Sequence, residues 1–274
     1  MPIAKVGDIN LYYEVHGKGE PLVLIMGYGQ HGGMWFGSQD KLAREYRVIV
    51  LDNRGTGRSD KPEIPYTDEM MGGDVAGLLD VLGISSANVF GYSLGGMIAQ
   101  AFALSYPGRL NNLILGATSC GGTRTVRNPE ATAFFLNPEL AKLPAEDAAR
   151  AGIPWIWNEE FVKNNPDVIE RFVAVACEYP TPGHAIASQA NLLMTHDTYD
   201  RLPDIKAPTL VIAGSEDRMI PCENSKILAS RIPNAELVII ENAGHGLFIS
   251  DPTDNVSKIV LDFLRRHSKA RAKA

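Results

Sequence analysis

Residues 88–104, NVFGYSLGGMIAQAFAL, place a short β-like run directly before a helix-like run of small apolar residues. Between the two runs, GYSLG at 91–95 matches the G-x-S-x-G pattern, in which a strained strand-to-helix turn holds a serine hydroxyl clear of its own backbone. Side chains at positions 91 and 95 would collide across such a turn, so glycine is required there. The segment therefore predicts a strand, a tight turn and a helix, with Ser93 as the candidate nucleophile.

Continuous apolar runs recur along the chain and are separated by helix-like stretches. They lie at 22–26, 47–51, 87–90, 113–115, 209–213 and 236–240. Runs of this kind are typical of parallel strands that are buried on both faces. Residues 3–15 instead alternate around Gly7-Asp8, which predicts a β-hairpin that starts the sheet. We therefore predict an α/β fold with a mostly parallel central sheet flanked by helices.

The strand pattern stops between residues 120 and 201, where prolines punctuate the chain. These are Pro129, Pro138, Pro144, Pro154 and Pro166, and each is expected to limit the length of a helix. We predict a helical cap at 120–201, inserted into a core formed by 1–119 and 202–274. Trp155 and Trp157 are the candidates in this cap for lining an apolar substrate pocket, and packing within the cap is the alternative interpretation.

A serine nucleophile needs a base and a carboxylate that orients the base. His245 directly follows the run at 236–240, at the sheet edge where open α/β sheets build their sites. The other five histidines have no such placement. Asp217 follows the run at 209–213 and is preferred over Glu216 as the orienting carboxylate. The chain order of serine, aspartate and histidine indicates a triad of Ser93, Asp217 and His245.

An acyl-transfer transition state also needs hydrogen-bond donors for its oxyanion. One candidate donor is the backbone N–H of Leu94, immediately after the nucleophile, at the start of a helix whose dipole favours negative charge. The second candidate is the backbone N–H of Tyr28, in the glycine-rich loop that follows the run at 22–26. We therefore predict an oxyanion hole formed by Tyr28 and Leu94.

Charge and cysteine content exclude several classes of partner. The formal net charge of −6 disfavours nucleic acid, and the one basic cluster, at 265–271, is interpreted as a solvated tail. Cys120, Cys177 and Cys222 have neither paired nor metal-type spacing. No apolar run reaches the length of a membrane span or resembles an export signal. We expect a cytoplasmic protein that acts on a small molecule without metal or cofactor, and composition does not indicate its oligomeric state.

Four motifs together resemble the α/β-hydrolase superfamily. DNRGTGRS at 52–59 is similar to that family's D-x-R-G-x-G-x-S turn, whose expected role is to shape the sheet edge. GYSLGG at 91–96, GSED at 214–217 and GH at 244–245 fall where family members carry nucleophile, acid and base. The oxyanion loop departs from the pattern, because Met26-Gly27 stands where many members have His-Gly. Chain size and the single predicted cap resemble small serine carboxylesterases and 3-oxoadipate enol-lactonases.

The resemblance implies a reaction class, and the identity of the nucleophile narrows it. Dehalogenases and epoxide hydrolases of the family carry aspartate at the nucleophile position of this strand-to-helix turn, so Ser93 argues against both activities. We therefore expect a serine hydrolase of the carboxylesterase or lactonase type, EC 3.1.1, that cleaves small to medium apolar substrates through an acyl-enzyme. The alternatives that use the same triad are a cofactor-free perhydrolase of the haloperoxidase type and a C–C bond hydrolase. A binding protein without turnover is a further alternative, and the intact triad weighs against it.

Overall fold

The computed structural model describes residues 2–248 and 255–268, and all structural statements concern these residues. Eight strands form one sheet within them. The strands are β1 (Ile3–Val6), β2 (Ile9–His16), β3 (Pro21–Ile25), β4 (Arg47–Leu51), β5 (Ala87–Tyr92), β6 (Leu110–Gly116), β7 (Thr209–Gly214) and β8 (Ala235–Ile240). Their order across the sheet is β1-β2-β4-β3-β5-β6-β7-β8. Each apolar run singled out in the sequence overlaps one of these strands.

The strand pairing confirms the predicted mostly parallel sheet. Strands β1 and β2 form the expected antiparallel hairpin, with Gly7 at φ +52° in its turn, and β2 also pairs antiparallel with β4. The remaining pairs, from β4 and β3 across to β8, are parallel. Ile25 at the end of β3 pairs with Gly91 near the end of β5. This register brings the loop after β3 and the turn after β5 to the same edge of the sheet.

Ten helices surround the sheet in the described part of the chain. They are α1 (Ser38–Leu42), α2 (Asp68–Val81), α3 (Leu94–Ser105), α4 (Pro129–Phe135), α5 (Ala145–Ile156), α6 (Glu159–Asn164), α7 (Pro166–Glu178), α8 (Gly183–Thr195), α9 (Glu223–Arg231) and α10 (Asn255–Arg266). Because side chains alternate along a strand, neighbours such as Leu24 and Ile25 enter different cores. Helices α2, α3 and α9 cover one face, and α1 and α10 cover the other. The predicted α/β class is confirmed.

Helices α4–α8 occupy the stretch between β6 and β7 in which no strand was predicted. The two ends of this stretch are paired by an isolated β-bridge between Gly121 and Asp197. The Gly122 N–H also donates to the His196 carbonyl at 2.8 Å. We propose that residues 120–201 form the cap, with these contacts as its stem.

Three of the prolines lie at or just before the start of a helix, as expected, and a fourth lies inside one. Pro129 and Pro166 are the first residues of α4 and α7, where proline's missing N–H costs no hydrogen bond, and Pro144 precedes α5. Pro154 lies inside α5, which continues to Ile156, so the expectation that it limits the helix needs correction. Pro154 has no N–H, so the helix lacks one backbone hydrogen bond there, and it ends two residues later.

The basic cluster near the C-terminus is only partly described, and that part is not a solvated tail. Arg265 and Arg266 belong to α10 and form ion pairs with Glu45 and with Glu236, the latter at 2.7 Å. Such exposed pairs contribute about 1 kcal/mol or less, and the two arginine side chains stay 43% and 55% exposed. Residues 269–271 of the cluster lie outside the described residues. No described helix combines the length and the hydropathy that a membrane span requires.

Candidate active site

The turn between β5 and α3 has the strain that its sequence predicts. Ser93 adopts φ 55° and ψ −122°, a conformation that side-chain-bearing residues rarely occupy. A Cβ atom on Gly91 would overlap the Gly95 carbonyl, so the strand and the helix can approach only with glycine there. The Ser93 N–H donates to the Gly116 carbonyl at 2.8 Å, and the Thr118 hydroxyl donates to the Ser93 carbonyl at 2.7 Å. These bonds stabilise the strained residue and leave its hydroxyl unconstrained by the backbone.

The structure brings Ser93, His245 and Asp217 together at one edge of the sheet. His245 Nε2 lies 3.1 Å from Ser93 Oγ, and His245 Nδ1 lies 2.7 Å from Asp217 Oδ2. The other carboxylate oxygen of Asp217 accepts from the backbone N–H groups of Met219 and Ile220, at 2.9 and 2.8 Å. All three triad candidates are buried. This geometry lets the imidazole accept a proton from the serine hydroxyl while the carboxylate orients the ring.

Glu216 and the histidines other than His245 do not take part in this contact. Glu216 is exposed and accepts from Asn158 Nδ2 at 3.0 Å, so it contacts the cap and not His245. His196 is fully buried, but its Nδ1 lies 2.7 Å from Asp68. None of the remaining histidines contacts Ser93: they are His16, His31, His184 and His267.

Tyr92 supports the site and was not singled out in the sequence. Its hydroxyl donates to the His245 carbonyl at 2.5 Å, and its ring lies 5.2 Å from the imidazole. Burial raises the pKa of Tyr92 well above its usual value, and the charge of Asp217 raises it further. The phenol therefore stays neutral and keeps donating its proton. Only its position inside the G-x-S-x-G pattern could have drawn attention to it.

The two candidate oxyanion donors lie on the two loops that meet at this edge. Leu94 is the first residue of α3, so its N–H has no acceptor within the helix. Tyr28 follows β3 in a loop that passes close to the nucleophile, since a Cβ on Gly27 would lie 3.0 Å from Ser93 Cβ. Asn53 Nδ2 donates to the Met26 carbonyl at 2.8 Å and holds this loop in place. The turn at 52–59 thus positions the loop, as expected for a structural role.

A cavity of about 150 Å³ opens beside the nucleophile. Ser93, His245 and Tyr28 line it, and most of its remaining wall is apolar. Phe135 and Ile156 contribute from the proposed cap, between β6 and β7 in sequence. The arrangement can hold an apolar group next to a reactive carbonyl.

The two tryptophan candidates for the pocket do not line this cavity. Trp157 is buried with its ring stacked on Phe161 at 5.7 Å, and Trp155 packs on Phe134 at 5.7 Å. The expectation that they contact substrate therefore needs correction in favour of packing within the cap. The adjacent Ile156 does line the cavity, because neighbouring residues on a helix point in different directions.

Among residues 2–248 and 255–268, no group of three or more histidine, cysteine, aspartate or glutamate side chains is arranged to hold a metal ion. The three cysteines are unpaired thiols. Burial raises the pKa of Cys120, which keeps that thiol protonated. The groups gathered at the site are those of acid–base and nucleophilic chemistry.

Comparison with known proteins identifies the family of this chain. A family model described as "alpha/beta hydrolase fold" matches residues 20–252. RutD of Azorhizobium caulinodans, provisionally named a carbamate hydrolase, is 30% identical, and the match covers 96% of this chain and 98% of that protein. Among solved structures, a thermophilic esterase from Thermogutta terrifontis is 32% identical with a TM-score of 0.84, covering 97% of both chains. The enol-lactonase from Burkholderia xenovorans LB400 is 30% identical with a TM-score of 0.83, covering 96% of this chain and 100% of that one. The chain is therefore a hydrolase of the alpha/beta hydrolase fold family.

Proposed function

We propose that this protein is a serine hydrolase that cleaves carboxylic esters or lactones of small to medium apolar substrates. The observation that carries the proposal is the continuous contact from Asp217 through His245 to Ser93, at 2.7 and 3.1 Å, beside a largely apolar cavity. Similarity to an esterase and an enol-lactonase supports the same reaction class. Binding alone would not require a nucleophile, a base and an orienting carboxylate in contact.

In the proposed mechanism, Ser93 Oγ attacks the substrate carbonyl as His245 Nε2 takes the hydroxyl proton. Asp217 holds the proton on His245 Nδ1 and stabilises the imidazolium that forms. The N–H groups of Leu94 and Tyr28 donate to the developing oxyanion. The imidazolium then protonates the leaving alcohol, and water deprotonated by His245 cleaves the acyl-enzyme. One histidine thus serves as base and acid in turn.

The carbamate linkage named for RutD is a second candidate bond. A carbamate carbonyl can be attacked by the same serine, and the sequence match to RutD spans nearly the whole chain. A neutral apolar carbamate therefore belongs in the same substrate panel as the esters and lactones. The relative values of kcat/KM decide which bond the site cleaves best.

The perhydrolase alternative is weakened by the cavity wall. A perhydrolase releases a peroxyacid, and thioethers are readily oxidised by such reagents. Several methionines line the cavity, among them Met26, Met34 and Met97. A site of this composition would oxidise its own wall during turnover. We therefore favour water over peroxide as the acceptor.

The test is hydrolysis of p-nitrophenyl esters from acetate to decanoate, run beside aliphatic lactones and an apolar aryl carbamate. We expect a chain-length optimum, covalent labelling by a fluorophosphonate, and a fall in kcat of several orders of magnitude in Ser93→Ala. Ser230→Ala is the matched control, because that serine is exposed on α9 and its hydroxyl donates to the Ile227 carbonyl. Near-normal turnover by Ser93→Ala, or labelling that persists in it, contradicts the mechanism.

A further inference from the structure

Methionine is concentrated around the cavity. The chain has eight methionines, and five of them line this one site. The five are Met26, Met34, Met97, Met194 and Met219. Thioether side chains are flexible and apolar, so they adapt to varied ligands, but each sulfur can also be oxidised to a polar sulfoxide.

The five side chains differ strongly in exposure. Met194, near the end of α8, is 48% exposed, whereas Met26, Met34 and Met97 are at most 4% exposed. Met219 is intermediate. Val126 lines the cavity beside solvent as well, at 39% exposure. Met194 and Val126 are therefore the apolar residues of an exposed rim to which Arg127 also belongs, and the three buried methionines lie deeper in the wall.

We propose that Met194 is a modification site at which a peroxide converts an apolar part of the rim of the substrate cavity into a polar one. The thioether sulfur attacks one peroxide oxygen, the O–O bond breaks and an S–O bond forms. The other oxygen leaves as hydroxide and takes the proton of the new S–OH group to become water, so sulfur is oxidised by two electrons to the sulfoxide and peroxide is reduced. Methionine sulfoxide reductases reverse the change, which makes it a switch.

The sulfoxide alters the part of the cavity that only a long substrate reaches. A chain that extends from Ser93 to the rim would pack against a hydrogen-bond acceptor instead of a thioether. Losing the burial of about one methylene group raises KM about fourfold, whereas a short acyl group that stays near Ser93 is unaffected. This activity effect rests on the proposed function, but the oxidation itself does not.

The oxidation is measured first, by titrating the protein with hydrogen peroxide and following each methionine by peptide mass spectrometry. Met70 is the internal reference, because it is 38% exposed on α2 and does not line the cavity. We expect Met194 and Met70 to be oxidised before the buried methionines. Decanol, as an apolar probe for the cavity, is expected to slow oxidation of Met194 and not of Met70. Equal effects of decanol on both residues overturn the placement of Met194 at the rim.

Three variants then test the functional consequence. Met194→Gln, a polar mimic of the sulfoxide, is expected to raise the ratio of KM for the decanoate ester to KM for the acetate ester about fourfold. After peroxide treatment, Met194→Leu should retain its untreated KM for the decanoate ester, whereas Met70→Leu should behave like the parent protein. A peroxide effect on Met194→Leu equal to that on the parent overturns the proposal. Absence of turnover on every ester, lactone and carbamate of the panel refutes the proposed function instead, and the mass-spectrometric test remains valid.

Discussion

Replacing Asp217 with asparagine tests the triad, because it changes which ring nitrogen of His245 carries the proton. Asp217 accepts from His245 Nδ1 at 2.7 Å through one oxygen and from the N–H groups of Met219 and Ile220 through the other. In Asp217→Asn, these two backbone donors keep the amide oxygen on their side. The amide NH₂ then faces His245 Nδ1 and donates to it, so the imidazole proton moves to Nε2. That nitrogen, 3.1 Å from Ser93 Oγ, becomes a donor and can no longer act as the base.

The expected loss in kcat is about 10⁴-fold, or about 5.4 kcal/mol in the activation barrier. The opposite amide orientation would restore the productive tautomer, but it sets the NH₂ group against two backbone donors. Each lost hydrogen bond costs about 1–3 kcal/mol, so the productive orientation is about 2 kcal/mol or more higher in free energy. At that lower limit, about 4% of the molecules would remain productive, which bounds the residual activity from above.

The assay is steady-state hydrolysis of the best p-nitrophenyl ester found for the parent protein, with urea unfolding measured in parallel. Glu216→Gln is the matched control, because it makes the same chemical change one residue away on a side chain that contacts Asn158 and not His245. We expect the control to keep near-parental kcat. If Asp217→Asn keeps more than about 4% of the parental kcat while folded, the tautomer argument is refuted.

Three further predictions concern stability, each measured by urea unfolding. Alanine at Gly91 would push its Cβ into the Gly95 carbonyl, so we expect a loss of about 3 kcal/mol together with activity. Burial raises the pKa of Tyr28 to about 12. The folded protein therefore holds the phenol proton more tightly than the unfolded chain does, and this contribution to the free energy of unfolding is complete below pH about 10 and is lost as the pH rises through about 12. Tyr28→Phe should remove about 2 to 3 kcal/mol of that alkaline loss. Asp74→Asn should cost about 3 kcal/mol, because Asp74 binds buried Arg54 at 2.6 and 2.7 Å and the guanidinium would keep only its 3.4 Å contact with the exposed Asp8. An unchanged free energy of unfolding contradicts the reasoning for Gly91→Ala and Asp74→Asn, and an unchanged alkaline loss contradicts it for Tyr28→Phe.

The sheet and the turn that carries Ser93 could be predicted because the sequence patterns that indicate them are local. An apolar run buried on both faces and a glycine on each side of Ser93 report constraints that act within a few residues. The same logic places His245 and Asp217, since each follows a strand and the carboxyl ends of parallel strands share one edge. Their mutual distances were not predicted, but the topology alone brings both loops to the nucleophile.

The cap shows where local signals end. Trp155 and Trp157 are large and apolar, which suits a pocket and a packed helix interface equally, and the direction of each side chain depends on tertiary contacts. Pro154 was expected to limit a helix, but the cost of an internal proline falls on the turn before it, and the packing around α5 decides whether the helix continues past it. The methionines at the cavity come from loops and helices far apart in sequence, so no window of the sequence contains their pattern.

The bridge between Gly121 and Asp197 has a consequence for how this chain can change over evolutionary time. Because the intervening helices leave and rejoin the sheet at adjacent points, their number and length can vary without moving either neighbouring strand. Ser93 and Asp217 lie outside the bridged segment, and Gly27 and His245 do as well. Selection can therefore vary the helical insert most freely away from the residues that bond to the site loops, since the Gly246 N–H donates to the Ile156 carbonyl and the Gly29 N–H donates to Gln189 Oε1.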